Sequence, residues 1–371
     1  MVRSRSADDI PIPLREFFGG PYHRSAYAAG LAALLLASLA SAQQLAPGRE
    51  RIEGADTFTT QLRISAGYEV KAFVTRPKNH TGKLPILFMV GWLSCDSVEA
   101  PDGPVDGFTQ LLFDLAAKSG FATLRINKPG TGGSGGPPCS ELDFNAELAA
   151  YRDAFDSMEK FDYIDSSRIY MIGFSNGGGV APLVPRGHPV RAYLVFSGWY
   201  KTWLEHMLEN ERRRLHLNGN PEADINSRMR AFADLYDLYL NHGQTPGQIM
   251  KSHPEMKRIW DDAPDHQYGR PSAFYQQLQA LNLGEVWQSV QCPTLAVHGE
   301  YDWIMSADDY QLLVQAMNRR NPGSAEYVNW PRTDHVLYQH KSPESAFSGS
   351  DQQYDLTLSD FVLKWLRAHA N

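Results

Sequence analysis

Cysteine is scarce in this chain: Cys95, Cys139 and Cys292 are the only three in 371 residues. So few cannot staple a small disulfide scaffold, and the fold must rest on a hydrophobic core. With 43% hydrophobic residues over this length, the chain can bury one large domain with an insertion, or two modest ones. No cysteine or histidine pair has metal-ligand spacing, so no metal is expected, and no organic cofactor either. Positive charge is also thin. Lys and Arg number 35 against 42 Asp and Glu, a formal charge of -7, and Arg212-Arg213-Arg214 is too short to make a phosphate-binding stripe. A nucleic-acid surface is therefore not expected. Internal repeats and low-complexity tracts are missing as well.

One apolar stretch, Ala26 to Leu39, is too short to span a bilayer comfortably. Arg3, Arg5, Arg15 and Arg24 precede it, and Ala40-Ser41-Ala42 and the polar Gln43-Gln44 follow. That is the order of a secretory signal with a small-residue cleavage site. Residues 1–42 are thus expected to be a signal peptide or an N-terminal anchor. The protein would be secreted or periplasmic, or membrane-anchored if the leader is kept, with no stable insertion once it is removed. An oxidising compartment agrees with the cysteines if two of them pair. Cys95 and Cys139 follow successive strands and lie in neighbouring loops, whereas Cys292 reads as a buried single thiol. All three being free is the alternative.

Past the leader, Thr57 to Ile64 and Glu69 to Thr75 alternate as two antiparallel strands turning at Ala66-Gly67. Strands are then expected at 86–90, 122–126, 169–172 and 192–196, with helices at 109–118, 145–161 and 177–184 between them. This succession specifies a parallel sheet with helices on both faces. Residues 199–288 break the pattern with amphipathic helical segments such as Trp203 to Leu215 and Ile225 to Leu240. Alternation resumes with strand 294–297, helix 307–319, strand 325–329 and a terminal helix 356–369. The expected organisation is a core of residues 43–198 and 289–371 with a helical cap inserted at 199–288.

Gly173-Phe174-Ser175-Asn176-Gly177 follows the apolar run Ile169 to Ile172 and precedes the small residues Gly178-Gly179-Val180-Ala181. Strand, sharp turn and helix in that order form the setting of a serine nucleophile elbow. The pentapeptide pattern alone is weak, and the chain supplies a control. Gly132-Gly133-Ser134-Gly135-Gly136 matches too, but prolines flank it on both sides, so Ser134 reads as loop. Acyl transfer by a serine also needs a base, a carboxylate to orient the base, and amide donors for the oxyanion. Asp302 lies in the loop after the strand 294–297, and His335 in the loop after 325–329. Both loops open at the same sheet edge as Ser175. His340 and His369 are fallback bases, and His298 reads as a strand-end core histidine. Glu300 and Asp334 read as solvated loop acids, Asp308 and Asp309 as partners of a helix dipole, and Arg212 to Arg214 and Arg230 as a solvated helix face.

The Ser175 elbow, the Asp302 and His335 loops, and Lys128-Pro129-Gly130-Thr131-Gly132-Gly133-Ser134-Gly135 together resemble the α/β-hydrolase superfamily from about Thr57 onward. The resemblance implies a mostly parallel eight-stranded sheet and a Ser175-His335-Asp302 triad. By position it implies oxyanion amides from Trp92 and Asn176. The chain departs from the family in two places. Lys-Pro stands where Asp-Arg is common in the glycine-rich loop, and Val90-Gly91-Trp92 stands where many members carry His-Gly-x. Gly-Trp-Leu-Ser-Cys-Asp and the Pro-Cys-Ser-Glu loop are also similar to bacterial proteins labelled as S9-type peptidases. Trp92, Phe174, Trp199 and Trp203 are the candidate lining of a partly apolar pocket. The expected activity is hydrolysis of carboxylic esters, with a small ester or a short peptide as substrate. A peptidase or amidase is the alternative, although about fifteen residues between Ala42 and the first strand leave no room for a propeller domain. A non-catalytic binding protein would need a broken triad, and here every position is filled.

Overall fold

The computed structural model describes residues 44–370. The leader expected at 1–42 lies outside the described residues. Among those described, no helix is long and apolar enough to cross a membrane.

Nine strands form one sheet: β1 (Ala46–Pro47), β2 (Ala55–Arg63), β3 (Glu69–Pro77), β4 (Leu84–Val90), β5 (Ala122–Ile126), β6 (Ile164–Phe174), β7 (Ala192–Phe196), β8 (Thr294–Gly299) and β9 (Ala325–Trp330). Their order is β1-β2-β3-β5-β4-β6-β7-β8-β9. The first three run antiparallel to their neighbours, and the six from β5 to β9 are mutually parallel. Eight of these are the expected strands. The ninth, β1, is two residues long and leaves no periodic signal. β4, β5, β7 and β8 are buried at every position, as parallel strands covered on both faces must be. β4 shows the two-residue period: Ile86, Phe88 and Val90 join the core on one face, Leu87 and Met89 that on the other.

Helix α1 (Gly107–Lys118) starts where the Asp106 carboxylate accepts from the Thr109 amide, and α2 (Phe144–Asp156) where Asp143 accepts from Ala146. α3 (Asn176–Val180) follows β6 and is shorter than the expected 177–184. Pro182 cannot donate an amide to continue it, so residues Ala181–Leu183 tighten into a 3-10 turn. Between β7 and β8 the chain forms α4 (Trp203–Leu217), α5 (Glu222–Tyr236), α6 (Pro246–Ser252), α7 (Ser272–Gln279) and α8 (Leu283–Ser289). A two-residue strand pair, His266–Gln267 with Arg270–Pro271, lies among them. This helical stretch shares a continuous apolar core with one face of the sheet, through Trp199, Trp203, Tyr236, Tyr275 and Trp287. α9 (Ala307–Arg320), α10 (Pro343–Ser348) and α11 (Leu356–Ala368) complete the chain.

Cys95 and Cys139 are bonded, joining the loop after β4 to the loop after β5 across 44 residues. Cys292 is free and half-buried, and burial pushes its thiol pKa up to about 11. Replacing Cys95 and Cys139 together by serine should lower the unfolding free energy by about 2–4 kcal/mol, because a loop of this length is released in the denatured chain. Urea midpoints with and without the bond measure it.

Candidate active site

Ser175 stands between β6 and α3 in a backbone conformation that few non-glycine residues adopt, with φ 55 and ψ -123. Such strain costs on the order of 1–3 kcal/mol and persists only where the surroundings enforce it. Here the Ser175 amide donates to the Phe196 carbonyl at 2.9 Å. Gly177 allows the rest: a Cβ there would lie 2.1 Å from the Val90 carbonyl oxygen and 2.5 Å from that of Gly91. The elbow is therefore pressed directly against the end of β4.

His335 stands in the loop after β9. Its Nε2 is 2.9 Å from Ser175 Oγ, and its Nδ1 is 3.0 and 3.1 Å from the two Asp302 oxygens. Asp302, after β8, also accepts from the amides of Ile304 and Met305, both at 2.9 Å. Burial pushes the Asp302 pKa up, yet the His335 charge, the His335 hydrogen bond and the accepted amide outweigh it, and the net shift is downward. Asp302 is thus an ionised, buried carboxylate whose partners hold it in place.

Neighbouring groups fix the imidazole. Ser197 Oγ donates to the His335 carbonyl at 2.6 Å, and the Phe108 ring meets the imidazole edge-on. Asp334, expected as a solvated loop acid, is in fact buried. Its oxygens accept from the amides of Val336 and Tyr338 and contact His340 Nε2 at 2.9 Å, so they set the shape of the His335 loop. His340 is spent on Asp334 and the Ser350 carbonyl, and His369 on the Trp365 carbonyl. His298 is a buried strand-end residue facing Asn329.

Some charged side chains expected at a helix start or on a solvated helix face are tied into the structure. Asp309 is buried and accepts from the amides of Tyr200 and Lys201 at 2.8 Å, while Asp308 keeps to the first turn of α9. Arg213 donates to the carbonyls of Trp303 and Ile304, both at 2.7 Å, clamping the segment that follows Asp302. Arg214 pairs with Glu211. Glu300 is exposed, as expected of a loop acid, and accepts from the Arg332 amide, while Ser134 Oγ accepts from the Lys71 amide of β3.

Two cavities meet Ser175 and His335. One, of about 360 Å³, is lined by Trp92, Phe108, Trp303, Ile304, Val336 and Tyr338 among others. The other, of about 50 Å³, is lined by Asn176, Trp203, His206, Met207 and Met305 among others. The expected pocket residues divide accordingly. Trp92 lines the large cavity, stacked on Phe108, and Trp203 reaches only the small one. Phe174 and Trp199 line neither. Phe174 is buried between Phe108 and Phe196, and Trp199 is buried with its indole N–H donating to Asn176 Oδ1 at 3.1 Å. Sequence reasoning missed Phe108, Trp303 and Tyr338. The adjacency of Trp303 to Asp302 was the one available signal. Among the described residues no group of His, Cys, Asp or Glu could hold a metal ion.

Solved structures share the fold at low identity. Est1E from Butyrivibrio proteoclasticus, solved with ferulic acid bound, is 17% identical, with a TM-score of 0.53 over 84% of this chain and 98% of that one. An esterase from Pyrococcus furiosus is 13% identical, with a TM-score of 0.54 over 89% and 100%. An acetyl xylan esterase from Paenibacillus sp. R4 is 14% identical, with a TM-score of 0.53 over 88% of each chain. No curated protein matches. The mostly parallel sheet with its elbow, flanked by helices, is an α/β-hydrolase fold. A family model described as X-Pro dipeptidyl-peptidase (S15 family) matches residues 66–336, well over half of the sequence, so the chain belongs to that family of serine hydrolases.

Proposed function

We propose that the protein hydrolyses carboxylic esters through an acyl-enzyme on Ser175. His335 Nε2 takes the Ser175 proton as Oγ attacks the carbonyl, and the amides of Trp92 and Asn176 receive the oxyanion. The imidazolium then protonates the departing alcohol. Water, deprotonated in turn by His335, releases the acid and restores Ser175. Asp302 holds Nδ1–H and stabilises the imidazolium. The observation that carries this reading is the unbroken hydrogen-bonded chain from Asp302 through His335 to Ser175. Export is part of the proposal. It is supported by the signal-like order of residues 1–42 and the Cys95–Cys139 bond.

The peptidase reading draws on the family label. A dipeptidyl-peptidase must hold a free terminal ammonium, and the large cavity carries Asp96, Asp106 and Asp334. Asp106 is engaged in capping α1 and Asp334 in pairing with His340. Asp96 accepts from Ser94 Oγ. The ester reading is therefore preferred. Rates on an unactivated alkyl ester and on an X-Pro nitroanilide decide between them: the ester should be turned over and the anilide not detectably, and efficient turnover of the anilide would favour the peptidase.

The unequal cavities add a prediction. Esters bulky on both sides of the carbonyl should show kcat/KM at least about tenfold below esters bulky on one side only, since one cavity admits little more than an acetyl-sized group. A matrix of acetyl and octanoyl esters of small and aryl alcohols measures it.

A further inference from the structure

The lysine that replaces the usual acid of the glycine-rich loop is buried behind the catalytic edge. Lys128 is 2% exposed, and its ammonium donates to the carbonyls of three successive residues: Trp92, Leu93 at 3.0 Å and Ser94 at 2.9 Å. An ammonium has three N–H donors, so the three carbonyls use all of them. Glu147 Oε1 lies 3.4 Å away as the charge partner. The other Glu147 oxygen is held by Arg270, which is fully buried against the Phe274 ring and the Cys139 sulfur. Burial pushes the Lys128 pKa down to about 8 with Glu147 opposing the fall, so the charged form prevails at pH 7.

The position of this clamp relative to the Trp92 amide gives it a role. Tyr151 Oη, one helical turn along α2 from Glu147, accepts from the Gly91 amide at 3.1 Å and fixes the peptide plane before Gly91. Lys128 fixes the plane after Trp92 through its carbonyl. The peptide between them, which carries the Trp92 N–H, is held from both ends, and its Gly91 carbonyl is pressed on Gly177 of the elbow. Because the peptide is planar, the Gly91 carbonyl held against the elbow also sets the direction of the Trp92 N–H on the opposite side of the same plane. Resting on the Ser175 reading above, we propose that Lys128 is a positioning residue for catalysis: its ammonium clamps the Trp92–Ser94 backbone and so aims the Trp92 amide at the oxyanion formed on Ser175. A preorganised donor is worth more in the transition state than in the ground state, so the effect belongs in kcat.

The test compares Lys128→Met and Lys128→Arg with the wild type. It uses a nitrophenyl ester and an aryl trifluoromethyl ketone, whose adduct with the serine carries an oxyanion. Lys128→Met should lose about 10- to 100-fold in kcat with KM within about threefold, and lose ketone affinity by a similar factor. Lys128→Arg should recover part of both. A folded Lys128→Met that keeps kcat and ketone affinity, or that changes KM alone, overturns the proposal. If Lys128→Met does not fold by circular dichroism, Tyr151→Phe decides the matter. It should show a smaller loss of the same kind, and unchanged kcat and ketone affinity overturn the clamp. Ser175→Ala separates the two levels. Full activity in that variant removes the reading beneath, whereas a dead Ser175→Ala beside an unaffected Lys128→Met removes only this proposal.

Discussion

Ser175→Ala is expected to abolish turnover of a nitrophenyl ester, with a fall on the order of 10⁵- to 10⁶-fold in kcat, and to erase covalent labelling by a fluorophosphonate. The hydroxyl is the one group at the elbow that meets both an imidazole acceptor, at 2.9 Å, and the two cavities. Folding should be little affected. Alanine inherits the strained backbone, and the Ser175 amide still donates to Phe196. The lost hydrogen bond leaves His335 Nε2 near a cavity where water can reach it, so its removal costs about 1 kcal/mol or less. A thermal midpoint close to that of the wild type, together with lost turnover, therefore separates chemistry from stability. Retained activity with retained labelling would move the nucleophile elsewhere.

That serine was legible because its signal is local. An apolar run, two glycines at fixed offsets and a run of small residues all lie within about a dozen positions. The alternation of buried strands and amphipathic helices was legible for the same reason: β4, β5, β7 and β8 announce themselves as continuous apolar runs. Asp302 and His335 needed only the further step that loops after parallel strands share one edge.

What stayed hidden depends on contacts between distant segments. Asp334 looks solvated beside Arg332 and Thr333, and only the return of the chain at His340 and Ser350 buries it. Asp309 obeys the rule for the first turn of a helix, but its carboxylate is taken by amides about a hundred residues upstream. Lys128, Glu147 and Arg270 come from three separate regions, and a buried charge in sequence looks like any surface charge. Phe174 and Trp199 were placed in the pocket on chain proximity to the edge. In both cases the backbone is at the edge while the ring turns into the core, under Phe108 for Phe174 and behind Asn176 for Trp199. Backbone position can be read from a strand pattern, and side-chain direction at a strand end cannot.

Asp302→Asn should lower kcat by about 10³- to 10⁴-fold while leaving the protein folded, and the reason lies in counting donors around one carboxylate. Three N–H groups converge on Asp302: the amides of Ile304 and Met305 on Oδ1, and His335 Nδ1, which reaches both oxygens. Asparagine offers one oxygen for them. If that oxygen stays with the two amides, its NH₂ faces Nδ1, which must then act as an acceptor. The proton of the neutral imidazole moves to Nε2, and His335 can no longer take the proton of Ser175. Stability should carry a second signature. The Asp302 pKa is lowered in the folded protein, so its ionised form contributes stability that is present above the unfolded value of about 3.9 and is lost as pH falls through the folded value. The difference in unfolding free energy between wild type and Asp302→Asn should therefore be flat above about pH 5 and shrink below about pH 4. Urea unfolding at a series of pH values reads this, and kcat on the same preparations reads the tautomer. An Asp302→Asn protein with wild-type kcat would show that the imidazole is oriented by something other than this carboxylate.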